Sequence, residues 1–324
     1  MGIGMSHSPL LALDGERWDE RANDDRQNQR LNTIDGRFVP YGDIAEAVKD
    51  RYADIATTER FIAQDAAAQR ALDRLADDLA KVAPDVVVII GDDHYELFSA
   101  ANMPAISIYH GEEIVTHPWP QQEAGNWRNT VAVEYAMDHV HRYPAHPKLG
   151  EQLIAALIEK EFDVASAARV DDPEKLGFGH AYGFVIERIF RGRTIPVVPV
   201  LLNTYFPPNA PTPKRCYDFG KALRQCIDES PMDVRAAVVA SGGLSHFVVE
   251  EELDRKIVDA LLTDDADVLR SLPVAALQSG SSEIRCWVAA AGAFSGLGNQ
   301  WIEYIPARRT AAGTGIGLGF GAWY

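Results

Sequence analysis

Runs of apolar residues along the chain predict a set of buried strands. Residues 86–90 are five consecutive β-branched residues, a pattern typical of a strand that is buried on both faces of a sheet. Shorter apolar runs at 104–109, 195–202 and 234–240 predict further strands, and the glycine-rich stretch 313–321 predicts a terminal one. A sheet built from such strands needs helices to cover it.

A second periodicity, that of amphipathic helices, separates these strands. Residues 58–83 carry one apolar stripe, and Pro84 follows directly, where a helix is expected to end. Residues 149–161 and 213–227 predict further helices. Alternation of helices and strands predicts one large α/β domain over residues 1–324, with a mixed or mainly parallel central sheet flanked by helices. Ligands of such sheets bind at the strand ends, so the active site is expected there.

Histidines follow three of the predicted strands at this edge. His7 comes after the apolar start of the chain, His94 after the run that ends at Gly91, and His246 after the strand at 234–240. One such histidine alone is more often an ordinary loop residue. If the three strands are neighbours, however, the histidines converge, which core filling does not easily explain. His180 lies between glycines at a predicted helix start, where the helix dipole disfavours a protonated imidazole.

A carboxylate completes a recognisable set of metal ligands. Glu283 follows a serine- and glycine-rich loop and, taken alone, could simply be a carboxylate at a helix start. Together, His7, His94 and Glu283 supply the two imidazoles and one carboxylate of non-haem Fe(II) sites, which leave coordination positions open. Zinc could use the same ligands for hydrolysis, so the metal stays open at this point. His180 and His246 would then remain as acid–base groups.

Residues 13–45 form a long, strongly charged stretch that contains Trp18, Phe38 and Tyr41. It predicts either a surface excursion with one or two short helices or a lid whose aromatic residues cover a site. We call this segment the excursion.

The remaining histidines give weaker signals. His110 and His117 are expected at the surface or the rim of the site. His139, His141 and His146 form a cluster, but we expect no metal there because no carboxylate or cysteine has suitable spacing.

The amino-acid composition limits the classes of binding partner and the cellular compartment that we expect for this protein. The chain has 31 Lys and Arg against 47 Asp and Glu, a net charge of -16, which argues against binding to nucleic acid or anionic membranes. It shows neither a signal peptide nor an apolar run of membrane-spanning length. Cys216, Cys226 and Cys286 are odd in number and lack metal-type spacing, so we expect reduced thiols in a cytoplasmic protein.

Several of these segments together resemble one family, the class III extradiol ring-cleavage dioxygenases. That family includes the catalytic subunit of protocatechuate 4,5-dioxygenase and the gallate, 3-O-methylgallate and 2,3-dihydroxyphenylpropionate dioxygenases. The similarity covers nearly the whole chain, and the order and separation of the segments are family-like; the segments are 4–10, 91–95, 179–180, 203–208, 241–246 and 282–290.

The resemblance implies a role for each candidate residue. His7, His94 and Glu283 match the ligands of Fe(II), His246 matches the catalytic base and acid, and His180 matches a second active-site histidine. The implied reaction inserts both atoms of O2 beside the diol of a catecholic aromatic acid, such as a gallate or 3-O-methylgallate-like substrate. A dihydroxypyridine or a 2,3-dihydroxyphenylpropionate-like diol is the alternative substrate. From other classes, a zinc-dependent hydrolase and a metal-free binding protein remain open.

The resemblance also bears on lid, substrate contacts and assembly. Some members of that family cover their site with a helical subunit or a fused C-terminal segment. In this sequence we expect the excursion, alone or with a neighbouring subunit, to be the lid, a layout most like the 3-O-methylgallate type. By position alone, Arg285, Arg308 and Arg309 are candidates to bind a substrate carboxylate, although an ordinary surface or structural role is the better interpretation of each. The expected partners are a small aromatic diol, O2 and further copies of the chain in a dimer or larger homo-oligomer.

Overall fold

The computed structural model describes residues 1–324 and contains thirteen strands and ten α-helices. The strands are β1 (Gly2–Met5), β2 (Leu31–Asn32), β3 (Phe38–Val39), β4 (Val86–Asp92), β5 (Ile106–Tyr109), β6 (Glu113–Val115), β7 (Arg142–Pro144), β8 (Ala165–Ala167), β9 (Val197–Leu202), β10 (Ala236–Ser241), β11 (His246–Val248), β12 (Asn299–Arg308) and β13 (Thr314–Trp323). The helices are α1 (Trp18–Gln27), α2 (Tyr41–Val48), α3 (Thr58–Val82), α4 (Trp127–Glu134), α5 (Pro147–Glu159), α6 (His180–Phe190), α7 (Pro213–Asp228), α8 (Glu251–Thr263), α9 (Ala266–Arg270) and α10 (Ile284–Phe294). None of these helices is both long and apolar enough to cross a membrane.

Nine of the strands form one mixed sheet in the order β11-β13-β1-β10-β4-β9-β5-β8, with β12 paired to β13. The four central strands β1, β10, β4 and β9 run parallel to one another. The flanking strands β13 and β5 run antiparallel to β1 and β9. The predicted α/β fold with a mixed or mainly parallel sheet is therefore confirmed.

The side chains of strand β4 contribute to a hydrophobic core on each face of the sheet. Val87 and Ile89 point to the face that is covered by α3 and α6, whereas Val86, Val88 and Ile90 point to the face that is covered by α5, α7 and α10. All five side chains are fully buried, as the unbroken apolar run predicts.

The predicted helix over 58–83 is observed as α3. The Thr57 side chain caps it by accepting a hydrogen bond from the Arg60 amide, and Ala83 ends it in the left-handed conformation just before Pro84. The capped start and the proline stop therefore set the boundaries that the sequence predicted.

The excursion contains α1, the small hairpin of β2 and β3, and the first turns of α2. A buried ion pair fixes α1 to the body of the protein, because Arg309 donates two hydrogen bonds, of 2.9 and 3.1 Å, to Asp25. Whether the excursion covers the site stays a prediction. Its aromatic residues Trp18, Phe38 and Tyr41 do not line the cavity at the strand ends. Trp18 is buried and donates to the carbonyl of Leu10, and Phe38 is exposed.

Candidate active site

Three neighbouring parallel strands bring the predicted histidines together. β10 lies between β1 and β4 in the sheet, so the carboxyl ends of all three meet at one edge. His7 follows β1, His94 follows β4, and His246 lies five residues beyond β10. The three side chains line the same cavity, together with His180 and Glu283.

A hydrogen bond fixes the orientation of the His7 ring. The Ser241 hydroxyl donates to the carbonyl of Ala181 at 2.6 Å, so it accepts from Nδ1 of His7, which lies 2.9 Å away. In the neutral imidazole the free lone pair is then on Nε2, which is buried, has no hydrogen-bond partner, and lies 3.2 Å from Oε2 of Glu283. A nitrogen held in this way is prepared to bind a cation.

His94 presents a similar free nitrogen, with a neighbour that sequence reasoning missed. Its Nε2 lies 2.9 Å from Oδ2 of Asp92, yet this nitrogen and the other oxygen, Oδ1, both lack a hydrogen-bond partner. Tyr205 packs against the ring at 4.8 Å between ring centroids, so the loop at 203–208 lies on the rim as expected. Asp92 is the last residue of β4, and its position at a strand end is the signal that could have identified it.

Glu283 lies between two histidines. Its oxygens are 3.2 Å from Nε2 of His7 and 3.0 Å from Nε2 of His246, and Oε2 accepts a hydrogen bond from the Gly243 amide. Burial alone would raise the pKa of Glu283, but the neighbouring histidines, His246 more than His7, hold that pKa well below its usual range. Although Glu283 directly precedes α10, its side chain forms no cap hydrogen bond with that helix and faces the histidines.

The His246 ring is held from all sides. Its Nδ1 donates to the carbonyl of Leu244 at 2.8 Å, and its Nε2 faces Glu283. Gly280 and Gly243 lie close to the ring, and a Cβ atom at either position would overlap it. The imidazole therefore has one fixed orientation, with Nε2 toward the cavity.

His180 is the first residue of α6, as predicted, and lies against a carboxylate that was not predicted. Its Nδ1 is 3.0 Å from Oε1 of Glu96. Burial opposes the charge of Glu96, but the hydrogen bond and charge of His180 outweigh it and lower the pKa of Glu96 to about 2. His180 thus pairs with an ionised partner, and its ring contacts those of His7 and His94 at 4.5 and 5.0 Å between centroids.

The donor atoms form two overlapping groups that could hold a metal ion. In each group the ligand atoms lie within 4.8 Å of one another; the groups are His7, Asp92 and His180, and Asp92, His94 and Glu283. The predicted ligands are thus divided between the two groups: His7 belongs to the first, and His94 and Glu283 belong to the second. Asp92 is a member of both groups. The unpartnered nitrogens of His7 and His94 and the ionised Glu283 fit a divalent cation, because imidazole and carboxylate are ligands of iron and zinc.

A cavity of about 390 Å³ opens above these groups, a size suited to one small ligand. Aromatic side chains of Trp119, Trp127, Tyr135 and Phe247 form part of its wall. Tyr135 also donates to the backbone carbonyl of His7, and so links the wall to the donor atoms. His117, expected at the surface or rim, lines the cavity, and burial lowers its pKa.

The three arginines that were candidates to bind a substrate carboxylate have different environments in the structure. Arg285 donates to backbone carbonyls such as those of Pro211 and Leu277 and has a structural role. Arg308 pairs with Glu251 away from the cavity. Arg309 alone lines the cavity, although its guanidinium is committed to Asp25.

The histidine cluster at 139–146 is corrected in one respect. His139 and His141 do have a carboxylate partner, because Asp138 lies 2.8 Å from the first and 2.7 Å from the second. Asp138 directly precedes His139 in the sequence, and the bend before β7 brings its carboxylate against both rings. His146 is separate from them and caps α5 by accepting from the Leu149 amide.

Fold and site together define an α/β protein with a buried histidine–carboxylate centre at the ends of parallel strands. Residues 63–319 match the family described as the catalytic LigB subunit of aromatic ring-opening dioxygenase, so the chain belongs to this family. The resemblance to class III extradiol dioxygenases is thereby confirmed.

Individual relatives are more distant. A gallate dioxygenase of Pseudomonas putida is 31% identical over 126 residues, which are 37% of this chain and 36% of the relative. A 2,3-dihydroxyphenylpropionate/2,3-dihydroxicinnamic acid 1,2-dioxygenase of Mycobacterium ulcerans is 27% identical over 243 residues, 75% of this chain and 55% of the relative. One of the same description from Comamonas testosteroni is 28% identical over 166 residues, 51% of this chain and 44% of the relative. The chain thus spans about a third to a half of the length of these relatives.

Proposed function

We propose that the protein is an Fe(II)-dependent extradiol dioxygenase that opens the ring of a catecholic aromatic acid beside its diol and inserts both atoms of O2. The observation that carries the proposal is the pair of unpartnered nitrogens on His7 and His94 beside the ionised Glu283, beneath a cavity of one-ligand size. Family membership and the names of the relatives support the same chemistry.

In this proposal His7, His94 and Glu283 hold the metal, and Asp92 lies close enough to take part as a further ligand. Bound Fe(II) would supply open positions for the two oxygens of the diol and for O2. The aromatic wall would hold a planar ring in the same cavity as these ligands, so that the diol and O2 meet in one site.

The two remaining histidines would handle protons. Nε2 of His246 faces the cavity and can take a proton from a substrate hydroxyl and later return it to the reacting oxygen. His180, oriented by Glu96, can stabilise negative charge that develops on the other side of the donor group.

A zinc-dependent hydrolase is the second candidate, because the same ligands accept zinc. The aromatic wall and the named relatives favour a planar aromatic substrate. Protein purified without oxygen and reconstituted with Fe(II) should consume O2 with gallate, 3-O-methylgallate, protocatechuate, 2,3-dihydroxyphenylpropionate or a dihydroxypyridine. The uptake should vanish in His246→Ala. Tight stoichiometric zinc, with no uptake on any diol, would favour the hydrolase.

We also propose that residues 13–45 act as a lid within the single catalytic domain. Support comes from α1, which presents Arg21 and Asp24 to the cavity and is held by the Asp25–Arg309 pair. Binding of an aromatic acid should slow hydrogen exchange of the α1 amides. Unchanged exchange in a protein that demonstrably binds the acid would contradict a lid.

We also propose that the protein is cytoplasmic and forms a homo-oligomer, either a dimer or a larger assembly. Large exposed apolar side chains such as Phe38 and Val133 would be available to an interface, and the three unpaired buried cysteines fit a reducing compartment. Light scattering after size exclusion should give at least twice the 35.6 kDa mass of one chain, and a mass of one chain would contradict the oligomer.

A further inference from the structure

One arginine of the cavity wall, Arg21, has N–H donors that make no hydrogen bond within the protein. Arg21 lies in the middle of α1, within the excursion, and its side chain is only 14% exposed. Its guanidinium carbon lies 5.5 Å from the ring centroid of Phe247 and 5.9 Å from that of Trp127, two aromatic residues of the same wall. Arg21 thus borders the space that an aromatic ligand would fill.

The hydrogen bonds of Arg21 use only one side of its guanidinium. Nη1 donates to Oδ1 of Asp25 at 2.8 Å, whereas Nε and Nη2 make no hydrogen bond within the protein. Arginine presents its N–H donors in a fixed planar fork that matches the two oxygens of a carboxylate. The free edge of Arg21 therefore has the geometry of an anion receptor.

The charges around Arg21 leave a cationic surplus. Three guanidinium groups, those of Arg21, Arg128 and Arg309, line this part of the cavity. Asp24 pairs with Arg128 and also lies 4.0 Å from Nη1 of Arg21, and Asp25 is shared between Arg21 and Arg309. Two carboxylates thus face three guanidinium groups. Burial, followed by the charge of Arg309, lowers the pKa of Arg21, as expected for a cation that lacks full compensation.

We propose that Arg21 binds the carboxylate of the substrate and so makes the enzyme selective for acidic aromatic diols over neutral ones. The inference rests on the proposed function and names the substrate class of the same site. Arg309 and Asp25 would act as positioning residues, because their buried pair sets the place of α1. A carboxylate directly on the ring and one on a short side chain share this chemistry, and the substrate panel separates them.

Variants of Arg21 test the proposal through a comparison of substrates. In Arg21→Gln, kcat/KM for the preferred acid, tested among protocatechuate, gallate and 2,3-dihydroxyphenylpropionate, should fall about 10- to 100-fold, the value of charge-assisted hydrogen bonds. Catechol and pyrogallol, which lack a carboxylate, should change less than about twofold. Arg21→Lys should recover part of the loss, because it keeps the charge but not the planar fork.

Arg26→Gln is the matched control. Arg26 belongs to the same helix but is exposed and pairs with Asp19 on the surface, so this variant should match the unaltered protein on every substrate. Equal losses on acids and neutral diols in Arg21→Gln would assign it a purely structural role and overturn the proposal. So would an unchanged kcat/KM for the acids.

A binding measurement separates this inference from the proposed function. Metal-free protein should bind 4-hydroxybenzoate more tightly than phenol, detected by quenching of tryptophan fluorescence from Trp119 and Trp127 in the wall. Arg21→Gln should remove this preference, and a preference that persists would overturn the inference. If no diol is cleaved but the preference depends on Arg21, the proposed reaction fails and the anion site stands.

Discussion

Replacing Gly280 by alanine should displace His246 without removing any functional group. Gly280 lies in the 3-10 helix Ser279–Glu283, next to the His246 ring. A Cβ at this position would lie 2.1 Å from Cδ2 and 2.6 Å from Nε2 of His246. Its backbone is not in the left-handed region, so the overlap with the ring is the main obstacle.

The size of the effect follows from these distances. Carbon atoms in contact are about 3.5–4.0 Å apart, so the ring would have to withdraw by more than about 1 Å. Misplacement of a reacting group by about 1 Å costs roughly 100-fold in rate. We therefore expect kcat to fall about 100-fold, and stability to fall by about 1–3 kcal/mol, the usual cost of overpacking.

Steady-state oxygen uptake on the preferred diol, together with thermal unfolding, measures both effects. Gly42→Ala is the matched control, because a Cβ there meets no atom within 4 Å and the residue lies in α2. It should keep full activity. If Gly280→Ala does not fold, Gly243→Ala approaches the same ring from another position, with its Cβ 2.8 Å from Cε1 of His246 and 2.6 Å from Cδ1 of Ile316. A folded Gly280→Ala protein with unchanged kcat would refute the role assigned to His246.

Three further predictions concern metal binding, acid stability and the thiols. Ser241→Ala removes the acceptor that orients His7 and should weaken metal binding about 10- to 100-fold in a competition with a chelator; unchanged affinity would contradict that role. Burial favours the neutral form of Glu251, but the hydrogen bond and charge of Arg308 outweigh burial and lower the pKa of Glu251. The pair therefore stabilises the fold at neutral pH, and this contribution is lost as the pH falls and the carboxylate is protonated. Glu251→Gln should accordingly lower the urea midpoint at about pH 7 but not at about pH 3, while the exposed Glu252→Gln changes neither; equal shifts at both pH values would refute the pairing argument. The three cysteines should be inert to a thiol reagent until the protein unfolds, because burial raises all their pKa values, that of Cys216 to about 12; rapid labelling of native protein would show the burial to be wrong.

The sequence predicted those parts of the fold and site that depend on local pattern. The apolar run at 86–90 and the stripe at 58–83 specify β4 and α3, because burial on two faces and burial on one face leave different periodicities. The apolar runs show where each strand ends, and so which histidines lie at the strand ends. The convergence of His7, His94 and His246 could therefore be predicted, on the assumption that their strands are neighbours.

Side-chain partners that come from distant segments were not predictable in the same way. Glu96 reaches His180 across 84 residues, and Asp25 reaches Arg309 across 284. No spacing rule relates residues so far apart, because the fold alone brings them together. Arg21 was missed for the same reason, since a charged helix in an excursion gives no sign of which side chain turns inward.

Incubation of Fe(II)-reconstituted protein with its preferred diol under 18O-labelled O2, followed by mass spectrometry of the product, tests the central claim most directly. We predict a ring-opened product that carries two heavy oxygen atoms, with the ring broken beside the diol. An intact ring, or a cleaved product whose added oxygen comes only from water, would contradict the account and favour a hydrolase.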